Sequence, residues 1–421
     1  MSRSEVGSIC FVGGGAMGCY NAILAALAGY SSAIYDASEN ARGLIDARLQ
    51  ETARQLSAAG LCASASVQSA LGLIRVEPDL ARAVQGAWLV SESVFEDLEL
   101  KRRVFAQLEA ACDDTVLLTT NSSALLGSDI ESVLKVGDRF AALHSHLGAK
   151  LFDIVGGPRT SSQTIARLQA YVVDIGGFPL VQKRENKGYV FNAMIGPVLG
   201  TALYLAATGA DSVRDIDRSW MLRTGSLMGP FGMIDLFGLG LIYNAWRNRP
   251  DDLITRFMRD DILAFMAPVL GTGREGVRTG GGFYNYPDPA YARQDFLEKL
   301  SPTSAAGDAL VSAWTQNAVL LVCNNVASPK NVDRAWMVAT GQSRGPFGEL
   351  DRIGLDRASL LFRVSGAMVP HSDHPRLMEY LQQRAASHGT GEKSGAGFYT
   401  YPAPAYAQEQ FLTASVMASA A

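Results

Sequence analysis

Cysteine is scarce in this 421-residue chain, and the five cysteines that are present stand far apart in the sequence. They are Cys10, Cys19, Cys62, Cys112 and Cys323, and no two of them form a Cys-x-x-Cys pair. Isolated cysteines of this kind argue against a zinc site and against a disulfide framework. We therefore expect a protein of a reducing compartment, with no bound metal.

The chain also lacks an excess of positive charge and any long apolar run. It has 37 basic and 41 acidic residues and a formal net charge of −4, so no global positive field attracts a phosphate backbone or an anionic membrane. No run approaches the roughly 18 apolar residues of a membrane span. Residues 1–7 lack the basic and apolar regions of a signal peptide. We expect a cytoplasmic protein with neither nucleic-acid nor membrane partners.

Apolar residues and glycine, by contrast, are abundant. The chain is 48% hydrophobic and 19% charged, and it contains 42 glycines. These proportions are typical of a globular protein and far from those of a disordered one. At about 150 residues per domain, the length predicts two or three domains.

A glycine-rich turn near the N-terminus lies between a predicted strand and a predicted helix. Residues 8–12 form a short apolar run, residues 13–18 match G-x-G-x-x-G, and residues 19–29 are small and apolar with helical character. A second apolar run, residues 32–35, leads directly to Asp36. Strand, turn, helix, strand and acid therefore follow one another in the order of a dinucleotide-binding unit.

Each position of this turn has a physical reason. Gly13 allows the tight turn, Gly15 lets the backbone approach a pyrophosphate, and Gly18 lets the helix pack closely on the strand. The pyrophosphate is expected at the helix N-terminus, whose first residues are Ala16 and Met17, because free N–H groups and the helix dipole favour negative charge there. Asp36 follows Gly18 by 18 residues and is placed to accept both ribose hydroxyls, and no arginine comes before Arg42 to hold a 2′-phosphate. The pattern favours NAD over NADP; the alternative is a glycine-rich turn with no ligand.

Further apolar runs alternate with helical stretches. Residues 88–90, 116–119 and 140–144 are predicted strands, and residues 98–111 a helix. Such alternation predicts a doubly wound, mostly parallel sheet in which residues 140–144 form the fifth strand.

The second half of the chain contains an internal repeat. Residues 217–240 recur at an offset of 116, and residues 282–297 recur at an offset of 115 with 11 of 16 positions identical. The repeated unit has a helical pattern, so we interpret it as a duplicated all-α domain of about 110 residues. Residues 301–307 are small and polar and are the predicted linker.

Together these patterns predict an α/β Rossmann-type N-terminal domain followed by two tandem all-α domains. The expected boundaries are residues 1–186, 187–300 and 301–421.

Several motifs carry a resemblance to a known family. They are Asn121-Ser-Ser-Ala-Leu125, Leu143-His144, Asp153, Gly188-Tyr-Val-Phe-Asn192, Gly229-Pro-Phe and Arg278-Thr-Gly-Gly-Gly-Phe-Tyr284. With the glycine turn, they make the chain resemble the 3-hydroxyacyl-CoA dehydrogenase family over residues 8–297 and again in the repeat. Some members of that family also carry a doubled C-terminal domain. The resemblance implies an active site in the cleft between a Rossmann-type and a helical domain, and a role in fatty acid metabolism.

The implied reaction interconverts a 3-hydroxyacyl thioester and its 3-keto form by hydride transfer to NAD. By this resemblance His144 is the general base, and Asp153 replaces the glutamate that orients the base. Ser123, 21 residues before His144, and Asn192 correspond to the residues that bind the substrate oxygen. His146 would face the same side as His144 if the strand continued, so it is a candidate to share the role.

Three further residues resemble positions that line the nicotinamide side: Glu96, Lys101 and Arg278. Glu96 and Lys101 have an alternative interpretation as a solvated charge pair near a helix start. His371 and His374 invite a metal interpretation, but without further ligands we interpret them as part of a loop.

The departures from the family leave alternatives open. After His144 the family continues Phe-x-Asn-Pro, whereas this chain has Ser-His-Leu-Gly, and Asp153 comes about three residues early. The family's lysine-rich excursion corresponds to residues 51–75, where only Arg54 and Arg75 are basic. The substrate is therefore a small acyl compound on CoA, on another carrier, or on none. A non-catalytic NAD-binding protein of the same fold is the other alternative.

The second repeat has no asparagine near residues 309–311, where the equivalent of Asn192 falls. We interpret it as a catalytically silent copy. In the family, helical domains pair across a dimer axis, so we expect the second copy to pack on the first as a built-in partner, in a monomer or homodimer.

Overall fold

A computed structural model describes residues 7–58, 60, 62–249, 256–299, 306–364 and 373–413. The chain divides into two compact units, residues 1–189 with 409–421 and residues 190–408. Residues 301–305 of the predicted linker, His371 and both chain ends lie outside the described residues.

An eight-stranded sheet forms the centre of the first unit. Its strands are β1 (Ser8–Val12), β2 (Ser32–Tyr35), β3 (Ile74–Glu77), β4 (Ala87–Glu92), β5 (Leu117–Thr120), β6 (Phe140–Ser145), β7 (Leu151–Gly156) and β8 (Phe178–Gln182). Their spatial order is β3-β2-β1-β4-β5-β6-β7-β8. Only β6 and β7 pair antiparallel. The predicted doubly wound, mostly parallel sheet is therefore confirmed, although β3, β7 and β8 were not predicted and His144 lies on the sixth strand rather than the fifth.

Eight α-helices belong to the described part of the first unit. They are α1 (Ala16–Leu27), α2 (Glu39–Arg42), α3 (Ile45–Ala58), α4 (Ser64–Leu71), α5 (Leu80–Val84), α6 (Leu98–Ala111), α7 (Gly127–Glu131) and α8 (Ser162–Asp174). The strands alternate between two apolar clusters: in β1, Ile9 and Phe11 belong to one cluster, while Cys10 and Val12 belong to the other. Burial of both faces explains why these strands read as continuous apolar runs in the sequence.

The strand order reverses between β1 and β4. From β1 the chain runs outward to β2 and β3 and then returns to β4 on the other side of β1. Loops that leave the carboxyl ends of β1 and β4 diverge at such a point and leave room for a ligand. The glycine turn follows β1, and Glu96 and Lys101 follow β4.

The second unit is built from ten α-helices among its described residues. They are α9 (Phe191–Ala207), α10 (Val213–Thr224), α11 (Pro230–Phe237), α12 (Leu239–Arg247), α13 (Arg256–Gly271), α14 (Ala306–Cys323), α15 (Pro329–Thr340), α16 (Pro346–Ile353), α17 (Leu355–Val364) and α18 (His374–His388). Pro230 and Pro346 each occupy the first turn of their helix, after a glycine. The order and spacing of α9 to α13 recur in α14 to α18.

A buried aspartate ties each set of helices together. Asp217 accepts hydrogen bonds from the backbone N–H groups of Phe231 and Gly232 and from the Tyr284 hydroxyl, at 2.9, 3.2 and 2.9 Å. Asp333 makes the same three bonds in the second set, at 2.8, 3.0 and 2.8 Å. Each carboxylate thus satisfies N–H groups at the start of α11 or α16, which have no partner within the helix.

The two sets of helices pack against each other inside this unit. Helix α9 of the first set lies along α14 of the second. The rings of Trp220, Trp314 and Trp336 form a mutually contacting cluster. The Trp314 centroid is 5.5 Å from that of Trp220 and 4.7 Å from that of Trp336, and all three side chains are fully buried. An ion pair of 2.6 Å joins Arg223 to Asp308. The packing of the two sets is therefore apolar at its centre, as in a domain core.

Two further findings bear on the expectations from composition. All five cysteines are free thiols. None of the helices in the described part of the chain has both the length and the apolar character that crossing a membrane demands.

The paired aspartates generate a stability prediction. Replacing Asp217 by Ala, or Asp333 by Ala, should lower the free energy of unfolding by about 3 kcal/mol or more, because two buried N–H groups lose their acceptor. Denaturant unfolding followed by circular dichroism measures the change. Asp356, an exposed acid at the start of α17, is the control, and Asp356→Ala should change stability little. Equal stability of all three variants would contradict the proposed role of the aspartates.

Candidate active site

His144 lies near the carboxyl end of β6, directly across the hairpin from Asp153. The antiparallel register of β6 and β7 pairs these two residues, and the His144 Nδ1 to Asp153 Oδ2 distance is 3.2 Å. An ionised carboxylate only accepts hydrogen bonds, so Nδ1 carries the proton and Nε2 is the basic nitrogen of the neutral ring. Within the described residues Nε2 has no hydrogen-bond partner.

Burial decides the charge of this imidazole. The His144 side chain is 7% exposed and that of Asp153 is fully buried. Burial lowers the pKa of His144 below its usual value, and the opposing hydrogen bond and charge of Asp153 do not fully compensate. At neutral pH His144 is therefore a neutral imidazole, able to accept a proton.

The Asp153 carboxylate has three donors rather than one. Its Oδ2 accepts from His144 and also from Nε2 of His146 at 2.7 Å, while its Oδ1 accepts from Nε2 of Gln182 at 2.7 Å. Burial by itself would raise the pKa of this carboxyl, but the hydrogen bonds from the two histidines outweigh it and hold the pKa below its usual value. Asp153 is thus ionised, and it orients two imidazoles at once.

Tyr189 holds the His144 ring from a third direction. The two rings stack with centroids 4.6 Å apart at an interplanar angle of 19°. The Tyr189 hydroxyl donates to the backbone oxygen of Ser122 at 2.6 Å, which fixes the tyrosine. Its backbone has a φ of +52°, a conformation that costs a non-glycine residue about 1–3 kcal/mol. Surrounding contacts compensate for this strain and restrict how the imidazole can turn.

The turn that carries Ser123 is organised by Glu96. One oxygen of Glu96 accepts from the Ser122 hydroxyl at 2.5 Å and from the backbone N–H groups of Ser123 and Ala124 at 3.0 and 2.8 Å. Ser123 itself is exposed, and within the described residues its hydroxyl makes no hydrogen bond. The Ser123 hydroxyl is therefore available to a ligand at the carboxyl end of β5.

Lys101 is buried, which makes its interpretation as part of a solvated charge pair wrong. Its ammonium donates to Glu92 Oε1 at 2.7 Å and to the backbone oxygen of Val94 at 3.2 Å, and it lies 3.4 Å from Glu96. The side chains of Lys101 and Glu92 are 1% and 0% exposed. Lys101 is buried because Glu92 lies at the end of the central strand β4, and a carboxylate buried there requires a positively charged partner.

The glycine turn has the geometry expected for binding a diphosphate. A Cβ on Gly18 would lie 1.9 Å from the Gly13 oxygen, so helix α1 and strand β1 approach as closely as predicted. A Cβ on Gly15 would meet no described atom within 4 Å. Gly15 is the N-cap residue of α1 and makes no side-chain capping hydrogen bond. Space therefore remains beside the free N–H groups of the first helical turn.

Asp36 lies beside this turn, at the end of β2. Its Oδ2 accepts from the backbone N–H of Gly14 at 2.8 Å and its Oδ1 from that of Ser38 at 2.9 Å. The carboxylate is thereby oriented where a ribose bound to the turn would present its hydroxyls. These residues fit an adenine dinucleotide.

Asn192 and Arg278 belong to the second unit. Asn192 is half-buried in the first turn of α9, and Arg278 is exposed in a short 3-10 turn, Val277–Thr279. At the 116-residue offset, the position of Asn192 corresponds to Asp308, just before the expected range 309–311, and the Asp308 carboxylate pairs with Arg223. The second set of helices thus has no amide at this position.

Sequence reasoning gave no role to three residues: Tyr189 and Gln182, which contact His144 and Asp153, and Glu92, which contacts Lys101. Tyr189 stood within a quoted motif without a role, and Glu92 is a lone acid at the end of an apolar strand, which predicts a buried partner. Gln182 lies on β8, 29 residues from Asp153, and nothing local marks it.

Family models match most of the chain. The model of the 3-hydroxyacyl-CoA dehydrogenase NAD binding domain matches residues 8–185. That of the 3-hydroxyacyl-CoA dehydrogenase C-terminal domain matches residues 188–286 and 306–401. The chain belongs to the 3-hydroxyacyl-CoA dehydrogenase family. Its cofactor is accordingly NAD, and it is an oxidoreductase.

Individual relatives support the family assignment. A probable 3-hydroxyacyl-CoA dehydrogenase from Caenorhabditis elegans is 30% identical over 295 residues, covering 67% of this chain and 94% of the relative. A solved diketoreductase, described as catalysing reactions of dicarbonyl compounds, is 30% identical with a TM-score of 0.62 and covers 66% of this chain and 99% of its own. The structure of 3-hydroxybutyryl-CoA dehydrogenase from Escherichia coli K12 is 18% identical with a TM-score of 0.69. It covers 90% of this chain and 99% of its own, so the likeness of fold extends into the second set of helices.

Substitutions of Gly15 and Gly18 allow the effect on cofactor binding to be separated from the effect on folding. Gly15→Ala should keep the thermal unfolding temperature, because its φ of −76° suits alanine and its Cβ meets open space. It should weaken NAD binding about tenfold or more by filling the space beside the helix N-terminus. Calorimetric titration with NAD measures the affinity.

Gly18→Ala is the matched comparison. Its Cβ would collide with the Gly13 backbone oxygen, so this variant should unfold several degrees below the wild type. If Gly15→Ala bound NAD as tightly as the wild type, the assignment of the turn would be contradicted.

Proposed function

We propose that this protein interconverts a 3-hydroxyacyl thioester and its 3-keto form, with His144 as general acid and base. The observation that carries the proposal is the buried hydrogen bond of 3.2 Å from His144 to Asp153 in a chain of this dehydrogenase family. The pair provides a neutral imidazole whose free nitrogen is Nε2.

In the oxidation direction, Nε2 of His144 accepts the proton of the substrate's 3-hydroxyl. NAD supplies the acceptor for the hydride that leaves the same carbon. Asp153 stabilises the imidazolium that results and keeps its proton on Nδ1 fixed, as a carboxylate does beside the histidine of a triad. In the reverse direction the imidazolium returns the proton to the 3-keto oxygen.

Ser123 and Asn192 are proposed to bind the reacting oxygen. The Ser123 hydroxyl is exposed and without a hydrogen-bond partner in the described residues, and the Asn192 amide offers N–H donors. Donors aimed at the oxygen stabilise the negative charge that develops there.

The proposed cofactor residues of the first unit follow the carboxyl ends of β1, β2 and β4. They are Gly13, Gly15, Ala16, Met17, Gly18, Asp36, Glu96 and Lys101. Arg278 of the second unit is proposed for the nicotinamide side from the family resemblance. Because the Lys101 ammonium is enclosed by Glu92, Val94 and Glu96, its proposed contribution is to orient Glu96.

A carrier-free 3-hydroxy acid is the second candidate substrate. Between residues 51 and 75 the two basic side chains are already engaged. Arg54 pairs with Glu51 at 2.6 Å, and Arg75 donates to the backbone oxygen of Arg82 at 3.0 Å. This segment therefore offers little to the phosphates of CoA. The likeness to a diketoreductase, which acts on dicarbonyl compounds, favours this candidate as well.

The organisation of the chain is proposed as three domains with boundaries at 186 and 300, the second and third being tandem copies. The recurring aspartate contacts support the duplication. We also propose that copy two packs on copy one in place of a partner chain, and that the protein is a monomer or a homodimer. We further propose that the protein is cytoplasmic, as its free thiols favour, and that it serves fatty acid metabolism.

The central test removes the imidazole. His144→Asn should lower turnover of acetoacetyl-CoA with NADH by about 100-fold or more, because the general acid is lost, while NAD affinity stays unchanged. Absorbance at the NADH band measures turnover, and calorimetry measures affinity.

The exposed His388→Asn variant is the control and should retain wild-type turnover. Following NADH formation from NAD and free 3-hydroxy acids at the same absorbance band distinguishes the two substrate classes. Wild-type protein that binds NAD but converts neither class would favour the non-catalytic alternative.

Cofactor choice gives a separate prediction. Arg42 Nη1 donates to the backbone oxygens of Asp36 and Ala37 at 2.7 and 3.1 Å, so a guanidinium already lies beside the expected ribose position. Asp36→Ser should weaken NAD binding about tenfold and strengthen NADP binding, because the repelling carboxylate is gone and Arg42 can pair with a 2′-phosphate. Adding Arg42→Ala should remove the gain for NADP. Unchanged NAD affinity in Asp36→Ser would contradict the role of Asp36.

A further inference from the structure

The imidazole of His146 shares the carboxylate oxygen that orients the catalytic histidine. Asp153 Oδ2 accepts from His146 at 2.7 Å and from His144 at 3.2 Å. The shorter bond is thus to the histidine without an assigned role. Both imidazoles are almost completely buried, so water does not compete with them for the carboxylate oxygen.

The hairpin between β6 and β7 explains how His146 reaches Asp153. His146 comes directly after the end of β6, and its ring lies on the same side as that of His144, since both imidazoles reach the same oxygen of Asp153. The loop is short: the His146 N–H donates to the Leu151 oxygen at 3.3 Å, and the Ala149 N–H donates to the His146 oxygen at 3.1 Å. The tight turn therefore returns the chain to β7 within reach of both imidazoles.

The two rings also contact each other. Their centroids are 4.5 Å apart and the rings are nearly perpendicular, at 84°. With Tyr189 stacked on His144, the catalytic imidazole has an aromatic neighbour in two directions.

We propose that His146 is a positioning residue that draws the Asp153 carboxylate toward itself and so keeps His144 a weaker base than an unshared carboxylate would make it. The inference rests on the proposed function of His144 and deepens it. A carboxylate stabilises a neighbouring imidazolium by charge and by hydrogen bonding. When one oxygen serves two donors, less of that stabilisation reaches either one.

The other charged or titratable side chains around His144 either raise its pKa or stay neutral. Asp153 on β7 and Glu96 after β4 both raise the pKa of His144, whereas burial and His146 lower it. Tyr189, whose pKa burial raises, stays neutral. His146 is therefore the neighbouring side chain that works in the same direction as burial.

The consequence for the oxidation direction is an operating range that extends to lower pH. Oxidation requires neutral His144, so its rate falls as pH drops through the pKa of His144. Removing His146 should return the whole carboxylate to His144, raise that pKa, and shift the acid limb of kcat/KM to higher pH. Reduction requires protonated His144, so its alkaline limb should shift upward by the same amount.

The experiment compares His146→Phe with His146→Gln in the full-length protein. Phenylalanine fills the ring's space without a donor, while glutamine offers an amide N–H near the position of Nε2. We expect an upward shift of about one pH unit in His146→Phe, the low end of a neighbouring carboxylate's effect, and a profile close to wild type in His146→Gln. NMR titration of the His144 ring, assigned by its absence in His144→Asn, should report the same shift without turnover.

Two results would overturn the proposal. One is an unchanged His144 titration in folded His146→Phe; the other is an equal shift in both variants, since a donor at position 146 would then be irrelevant. Thermal unfolding of each variant verifies the fold, and the NMR titration of His146→Gln remains informative if the phenylalanine variant is unstable. Full turnover in His144→Asn would instead contradict the proposed function itself, so the two failures are distinguishable.

Discussion

One buried carboxylate connects the parts of the candidate active site. Asp153 is completely buried, and burying an unpaired charge costs several kcal/mol. Its three donors come from β6, from the residue just after β6, and from β8. The carboxylate is stable because neighbouring strands supply those donors, and the strands' side chains are ordered because they share it. The two imidazoles owe their tautomers and orientation to this arrangement.

A second buried cluster of charged side chains lies at the carboxyl end of β4. Glu92, at the end of β4, accepts from Lys101, from the Val94 N–H and from the Thr120 hydroxyl at 2.7, 2.6 and 2.7 Å. Lys101 in turn lies beside Glu96, which holds the turn containing Ser123. Loops would otherwise be the most mobile part of this edge, and here charge-assisted hydrogen bonds fix them. In both clusters the burial of charge costs desolvation energy, and the hydrogen bonds that compensate for this cost also fix the geometry of the side chains.

Local pattern was enough to predict five of the eight strands and several site residues, whereas it did not predict the contacts between distant residues. The glycine turn, Asp36, the helix over residues 98–111 and the cross-strand partner of His144 followed from spacing and resemblance. Strand β3 was missed because it has only four residues, Ile-Arg-Val-Glu, and so short a run carries little pattern. Strands β7 and β8 were missed as well. The burial of Lys101 and the contacts of Gln182 and Tyr189 arise from residues 9, 29 and 67 positions away. Periodicity carries no information on such pairs, since they form only when the sheet assembles.

The matching aspartates of the helical unit affect how this chain can vary. Asp217 and Asp333 tie together corresponding pieces of the two helical sets with identical bonds, yet only the first set retains an asparagine at the start of its leading helix. The second set thus contributes packing and anchoring rather than an amide at that position. Substitutions on its outward surface should be tolerated as long as those few anchors and the tryptophans against the first set are kept.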